Sequence, residues 1–222
     1  MLYELSDAEM NKYSVFSGHL DWSRFDYLKE RPFTFSILRD PEERLLSFYF
    51  YLREQATIFQ RRGELSEKPG LLAALHDSPD RFFLDSSHPI RNFLDQNLDN
   101  FYTYYFAGRR YDARPTLHPL AGLGKCFRSE ADLVKLALIN IKSYCDAVYD
   151  INSWRTELER DLARMCPFES KPVRDEYRVN QGISRSADRR QALAELGASK
   201  DVFNRISEMC VWDYKLISDL ET

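Results

Sequence analysis

Phe33-Thr34-Phe35-Ser36-Ile37-Leu38-Arg39-Asp40-Pro41-Glu42-Glu43-Arg44-Leu45-Leu46-Ser47-Phe48-Tyr49-Phe50-Tyr51-Leu52-Arg53 is the stretch whose reading decides the fold. Its first six residues are mostly apolar, on both faces toward Leu38, as in a strand buried inside a parallel sheet. The strand stops at Arg39. Asp40 has the character of an N-cap, Pro41 suits the first helical position, and Glu43 completes the spacing of a capping box. Beyond it Leu45, Phe48, Tyr49, Leu52, Ala56 and Phe59 recur at helical spacing, which predicts a helix running to about Gln60. Arg61-Arg62-Gly63 suits its C-terminal end. Strand, tight turn and helix make one α/β unit.

Upstream, residues 13–16 read as a short strand that turns at Ser17-Gly18-His19, followed by an acidic and aromatic linker. Downstream the pattern predicts helices over 71–75, 90–106 and 130–141, the last led by Ser129 as a cap. A short strand over 147–151 precedes a helix that Asn152 caps and that holds Trp154, Leu158, Leu162 and Met165. Residues 171–190 read as a polar, basic loop, and a final helix covers 201–220. Eight glycines in 222 residues are too few for a turn-rich β sandwich. The expectation is a single α/β domain over 1–222, with a parallel sheet and a predominantly helical C-terminal part.

Fifteen Phe and 13 Tyr supply a sizeable core, and 30% charged residues give the balance of a globular protein. A net charge of −4 offers no general attraction to nucleic acid, although it does not say where the arginines sit. Cys126, Cys145, Cys166 and Cys210 form no C-x-x-C pair, so the sequence implies neither a metal site nor a disulfide framework. No run approaches the ~18 apolar residues of a membrane span. The first residues lack a basic n-region followed by an apolar run, which is the mark of a signal peptide.

The chemistry concentrates where the strand meets the helix. Ligands of open α/β sheets bind outside the carboxyl ends of the strands, and a helix N-terminus there favours an anion. Arg39 adds a planar fork of donors matched to phosphate. Asp40, Glu43 or Arg44, and Ser47 share one helix face, so Ser47 can present its hydroxyl to the anion that Arg39 grips. In the other reading, Arg39 pairs with a carboxylate on the helix surface and Ser47 merely fills a polar position.

Leu38-Arg39-Asp40-Pro41, Arg44-Leu45-Leu46-Ser47 and Tyr49-Phe50-Tyr51-Leu52-Arg53 together resemble the 3′-phosphate-binding segment of the heparan-sulfate 2-O-sulfotransferase-like family. The resemblance implies a P-loop-NTPase-like sulfotransferase fold. It also implies 3′-phosphoadenosine-5′-phosphosulfate (PAPS) as sulfate donor, its desulfated form PAP as product, and a hydroxyl acceptor, a carbohydrate. Carried over by position, Arg39 and Ser47 hold the 3′-phosphate, and Arg44 supports the motif structurally. Phe16-Ser17-Gly18-His19-Leu20-Asp21 is similar to the family segment that ends its strand with a Gly-His pair, and His19 inherits the role of catalytic base. A neutral imidazole suits that role near pH 7. Ser17 stands where the family has a further histidine. Further likeness lies in Arg91-Asn92-Phe93-Leu94, in 100–108 and in Asp213-Tyr214.

His76 follows a predicted short helix, and His88 and His118 precede prolines in loops, so none of them is a candidate base. Arg53, Arg61 and Arg62 suit either an anionic sugar polymer or plain solvation. Arg174, Arg178 and Arg185 lie in the basic stretch that could close over a nucleotide. The family grips the 5′-phosphosulfate with a Gly/Lys/Ser/Thr loop after its first strand, and no such segment precedes His19. Gly122-Leu123-Gly124-Lys125 comes too late and reads as a loop. The expectation is therefore a chain whose first strand and loop lie upstream, or a diverged member without activity. As given, the chain suits the cytoplasm, whereas animal relatives are anchored in the Golgi through N-terminal segments. Besides the sulfotransferase, two readings stay open: a protein that binds a phosphorylated nucleotide without chemistry, and an unrelated α/β protein whose Arg-Asp-Pro segment is only a helix cap.

Overall fold

The computed structural model describes residues 6–10, 21–65, 68–87, 89–117, 129–165 and 186–221. The expected strand at 13–16, His19, His88, His118, the 122–125 run and most of the 171–190 stretch lie outside them. Contacts divide the chain into two compact units. Unit 1 comprises Met1–Ser36, Asn100–Val148 and Val211–Thr222, and unit 2 comprises Ile37–Asp99 and Tyr149–Cys210.

In chain order, α1 (Asp7–Met10) and a 3-10 turn (Trp22–Tyr27) precede β1 (Phe35–Leu38) and the long helix α2 (Pro41–Arg61). Then come α3 (Pro69–His76), α4 (Pro79–Leu84), α5 (Arg91–Asn97), α6 (Phe101–Gly108), α7 (Arg114–Leu117) and α8 (Glu130–Tyr144). The chain continues through β2 (Ala147–Asp150), α9 (Trp154–Met165), α10 (Ser186–Glu195), α11 (Lys200–Glu208) and α12 (Val211–Leu220). β1 and β2 form a two-stranded sheet. Ala147 N–H donates to Thr34 C=O, and four residues further along both strands Ile151 N–H donates to Leu38 C=O. The register rises together, so the pair is parallel. The fold is α/β and mostly helical. β1 is less buried than its sequence suggests: Leu38 is buried but Phe35 is 39% exposed. Among the described residues its neighbour in the sheet is β2.

Unit 2 is organised by α2. Leu45, Tyr49, Leu52 and Ala56 of the predicted face are buried, Leu46 joins them from outside that face, and the expected Phe48 and Phe59 are only half-buried. Tyr49 packs edge-on against Phe82 of α4 with centroids 4.9 Å apart, and Phe83 lies 5.2 Å away. Arg53 of α2 donates to the Ala74 carbonyl of α3 at 2.5 Å and lies 5.7 Å from the Tyr49 ring centroid, which commits its guanidinium to packing α3. Arg61 and Arg62 remain exposed. Leu193, Val202, Ile206, Met209 and Cys210 complete this core from α10, α11 and the turn after α11. The short α4, which periodicity alone does not reveal, is capped by Ser78, whose hydroxyl accepts from Arg81 N–H.

Four elements differ from the sequence expectation. The helix expected over 90–106 is two helices, because Asn100 takes φ 48°, in the left-handed region that asparagine tolerates. The helix expected over 201–220 breaks at Met209–Cys210 into α11 and α12. Ser186–Arg190, expected as loop, is the start of α10. Asn152 does not cap α9: its N–H and side-chain amide both donate to Asp150, an Asx turn that leads into the helix.

Unit 1 is built on α6 and α8. The N-terminus of α6 is closed by a buried carboxylate: Asp213 of α12 accepts from Tyr102 N–H at 3.1 Å, Thr103 N–H at 2.8 Å and the Thr103 hydroxyl at 2.9 Å. Asn100 returns the contact by accepting from Trp212 N–H at 2.8 Å. At the other end, Asn140 of α8 donates to the Phe106 and Ala107 carbonyls, both at 2.9 Å. Arg109 then takes φ 56°, where glycine is usual. Its guanidinium pairs with both Asp26 oxygens and lies 3.6 Å from the Tyr144 ring centroid and 4.9 Å from that of Trp22. These contacts offset the strained backbone.

Candidate anion-binding site

The junction of β1 and α2 is held locally, as its sequence implies. Asp40 caps α2 by accepting from Glu43 N–H at 2.9 Å, and Pro41 occupies the first turn. Arg39, just past β1, is thereby set beside the helix N-terminus with its side chain 31% exposed. Glu43 and Ser47 are one turn apart on one face of α2. Ser47 is half-buried, so neither sequence-predicted phosphate ligand is sealed in the core.

Arg39 Nη1 lies 3.9 Å from Glu43 Oε1, an ion-pair distance beyond normal hydrogen bonding. The same oxygen pairs with Nη1 of Arg189, which α10 delivers and whose side chain is only 10% exposed. Burial first, and then the neighbouring Arg39 guanidinium, hold Arg189 below the ordinary arginine range. It still carries its charge at neutral pH. Glu43 Oε2 is buried and meets no hydrogen-bond donor among the described residues. Next to it Glu42 accepts from Arg190 at 2.5 Å and from the Ser207 hydroxyl of α11 at 2.6 Å.

Arg44, for which the resemblance implies a supporting part, turns toward α5. Its Nη2 donates to the Asn97 carbonyl at the C-terminal end of α5, at 2.5 Å, where a helix favours a cation. Arg189, Arg190 and Ser207 are the members that sequence reasoning missed. Arg189 and Arg190 stand at the end of the basic stretch, but nothing in their spacing says which carboxylate they meet.

Among the described residues, Arg39 and Arg189 pair with Glu43 and Arg190 with Glu42, at the start of α2. His19, the predicted base, lies outside the described residues. His76 is exposed at the C-terminal end of α3, the position its sequence context implies.

No group of three or more His, Cys, Asp or Glu side chains that would hold a metal occurs among the described residues. No helix there is long and apolar enough to cross a membrane. The Cys145 thiol is half-buried and pushed up to about 11, by burial first and then by the adjacent Asp146 carboxylate. It is thus a weak nucleophile at neutral pH. Iodoacetamide at pH 7.5 should label the native protein at Cys145 at least about tenfold more slowly than the urea-unfolded chain. Equal rates, followed by peptide mass mapping, would contradict this. In comparisons with known proteins, no protein-family model, no curated protein and no solved structure matches the chain.

Proposed function

We propose that this chain binds the 3′-phosphate of PAPS at the β1–α2 junction and acts as a sulfotransferase on a hydroxyl acceptor, a carbohydrate. The observation that carries the reading is the placement of Arg39 at the mouth of a parallel strand pair. It stands beside a capped helix N-terminus, with Ser47 further along the Glu43 face. Arg39 and Ser47 supply the donors for the 3′-phosphate. His19 removes the proton of the attacking hydroxyl, and the sulfuryl group passes in line from the phosphate of PAPS to that oxygen, leaving PAP. Positioning and charge stabilisation account for most of such a transfer, as in phosphoryl transfer.

A second reading keeps the binding and drops the transfer. It rests on the donors assigned above, Arg39 and Ser47, which address the 3′-phosphate.

Thermal melting with and without PAP tests the binding. A ligand that binds only the native state stabilises it by mass action, by ~2.7 kcal/mol at a hundredfold excess over Kd. Saturating PAP should raise Tm for the wild-type chain and leave Arg39→Ala unmoved. A wild-type Tm indifferent to PAP would remove the proposal. Transfer of labelled sulfate from PAPS to a glycan separates the two readings. Under the first, His19→Ala should lose transfer while keeping the PAP-dependent Tm shift.

A further inference from the structure

We infer that Arg189 is a second guanidinium of the same phosphate site, and that the Glu43 carboxylate occupies the phosphate's place until the nucleotide arrives. The inference rests on reading Arg39 as a phosphate ligand, and it names a residue on a distant element that completes the grip. Arg189 pairs with Glu43 Oε1, and Arg39, from a different element, lies at ion-pair distance, 3.9 Å, from the same oxygen. A single oxygen shared by two guanidinium groups is the arrangement that a phosphate oxygen adopts between two arginine forks.

The carboxylate there is poorly served. Its second oxygen is buried without a donor among the described residues, and the two cations it serves repel each other. A phosphate brings more charge and more acceptor oxygens to the same pair. Nor is the Glu43–Arg189 contact alone in fastening α10 to α2. Arg190 donates to Glu42 at 2.5 Å, and Leu193 of α10 is fully buried in the core of unit 2. A contact that is not needed as the sole tether is open to exchange. Arg189 also sits near the start of α10, where the helix dipole disfavours a cation and an anionic partner offsets the cost.

Calorimetric titration of the chain with PAP tests the inference, with adenosine 5′-monophosphate, which lacks the 3′-phosphate, as the comparison ligand. Arg189→Ala should weaken PAP by about tenfold or more, while the comparison ligand changes little. Arg189→Lys should recover only part of the loss, since an ammonium is a point charge and not a fork. Glu43→Gln removes the competing charge and should tighten PAP. If Arg189→Ala does not fold, as judged by circular dichroism, the Lys and Gln variants decide the matter.

Wild-type affinity in the Arg189 variants, with binding still lost in Arg39→Ala, would overturn the inference and leave the proposed function standing. Weaker or unchanged binding in Glu43→Gln would overturn the part given to Glu43. A wild-type chain that does not bind PAP would remove both the inference and the reading beneath it.

Discussion

Replacing Asp213 with alanine should destabilise the protein by about 3–5 kcal/mol, because three buried donors lose their acceptor at once. The Tyr102 and Thr103 amides are among the first of α6 and have no partner within their own helix. Asp213, 2% exposed, satisfies both amides together with the Thr103 hydroxyl. A negative charge at a helix N-terminus adds a favourable dipole interaction, strengthened by burial. Each donor left unsatisfied costs about 1–3 kcal/mol. Asp213→Asn keeps one acceptor oxygen and should fall between the wild type and Asp213→Ala. Urea unfolding followed by tryptophan fluorescence gives the global figure. Amide hydrogen exchange at Tyr102 and Thr103 gives the local one, since both should lose protection first. A loss below about 1 kcal/mol, with both amides still protected, would show that water replaces the carboxylate at no cost.

Phe82→Ala should cost a similar amount, about 3–5 kcal/mol, for the opposite physical reason. Phe82 has no exposed surface and no polar atom to satisfy. Its contribution is area removed from water and ring packing against Tyr49 and Phe83, each with centroids at 4.9 Å. Truncation leaves a cavity between α2 and α4 that the surrounding side chains fill only in part. Phe82→Leu keeps most of the volume and should cost less than half as much. Denaturant midpoints of the two variants check the ordering. Equal losses for Leu and Ala would mean that aromatic geometry, not volume, holds this contact together.

The Tyr49 side of that contact was legible from the start and the Phe82 side was not. The buried stripe of α2 spans 21 residues, long enough for a 3.6-residue period to stand out. α4 has six residues, less than two turns, so its two phenylalanines show no period and their depth follows only from what packs on them. The same contrast runs through the candidate site. Arg39, Asp40, Pro41, Glu43 and Ser47 lie within nine residues, and the cap that orders them is a bond from residue i+3 back to residue i. Glu42 meets Arg190 across 148 residues of chain, and no local pattern encodes that choice.

Sequence alone determined the strand, the Asp40 cap, the proline-led helix and its buried face, because capping, proline stereochemistry and helical periodicity act within a few residues. Only the tertiary structure decided where the other helices stop. Asn100 turns left-handed and α6 restarts because the carboxylate of Asp213, 110 residues beyond Thr103, receives its first amides. It alone also decided that β1 pairs with β2 and that Arg189 joins Arg39 on Glu43. The reason is common to all three. Burying a charge or closing a sheet depends on partners that arrive from far along the chain, and their energies are felt only once the chain has folded around them.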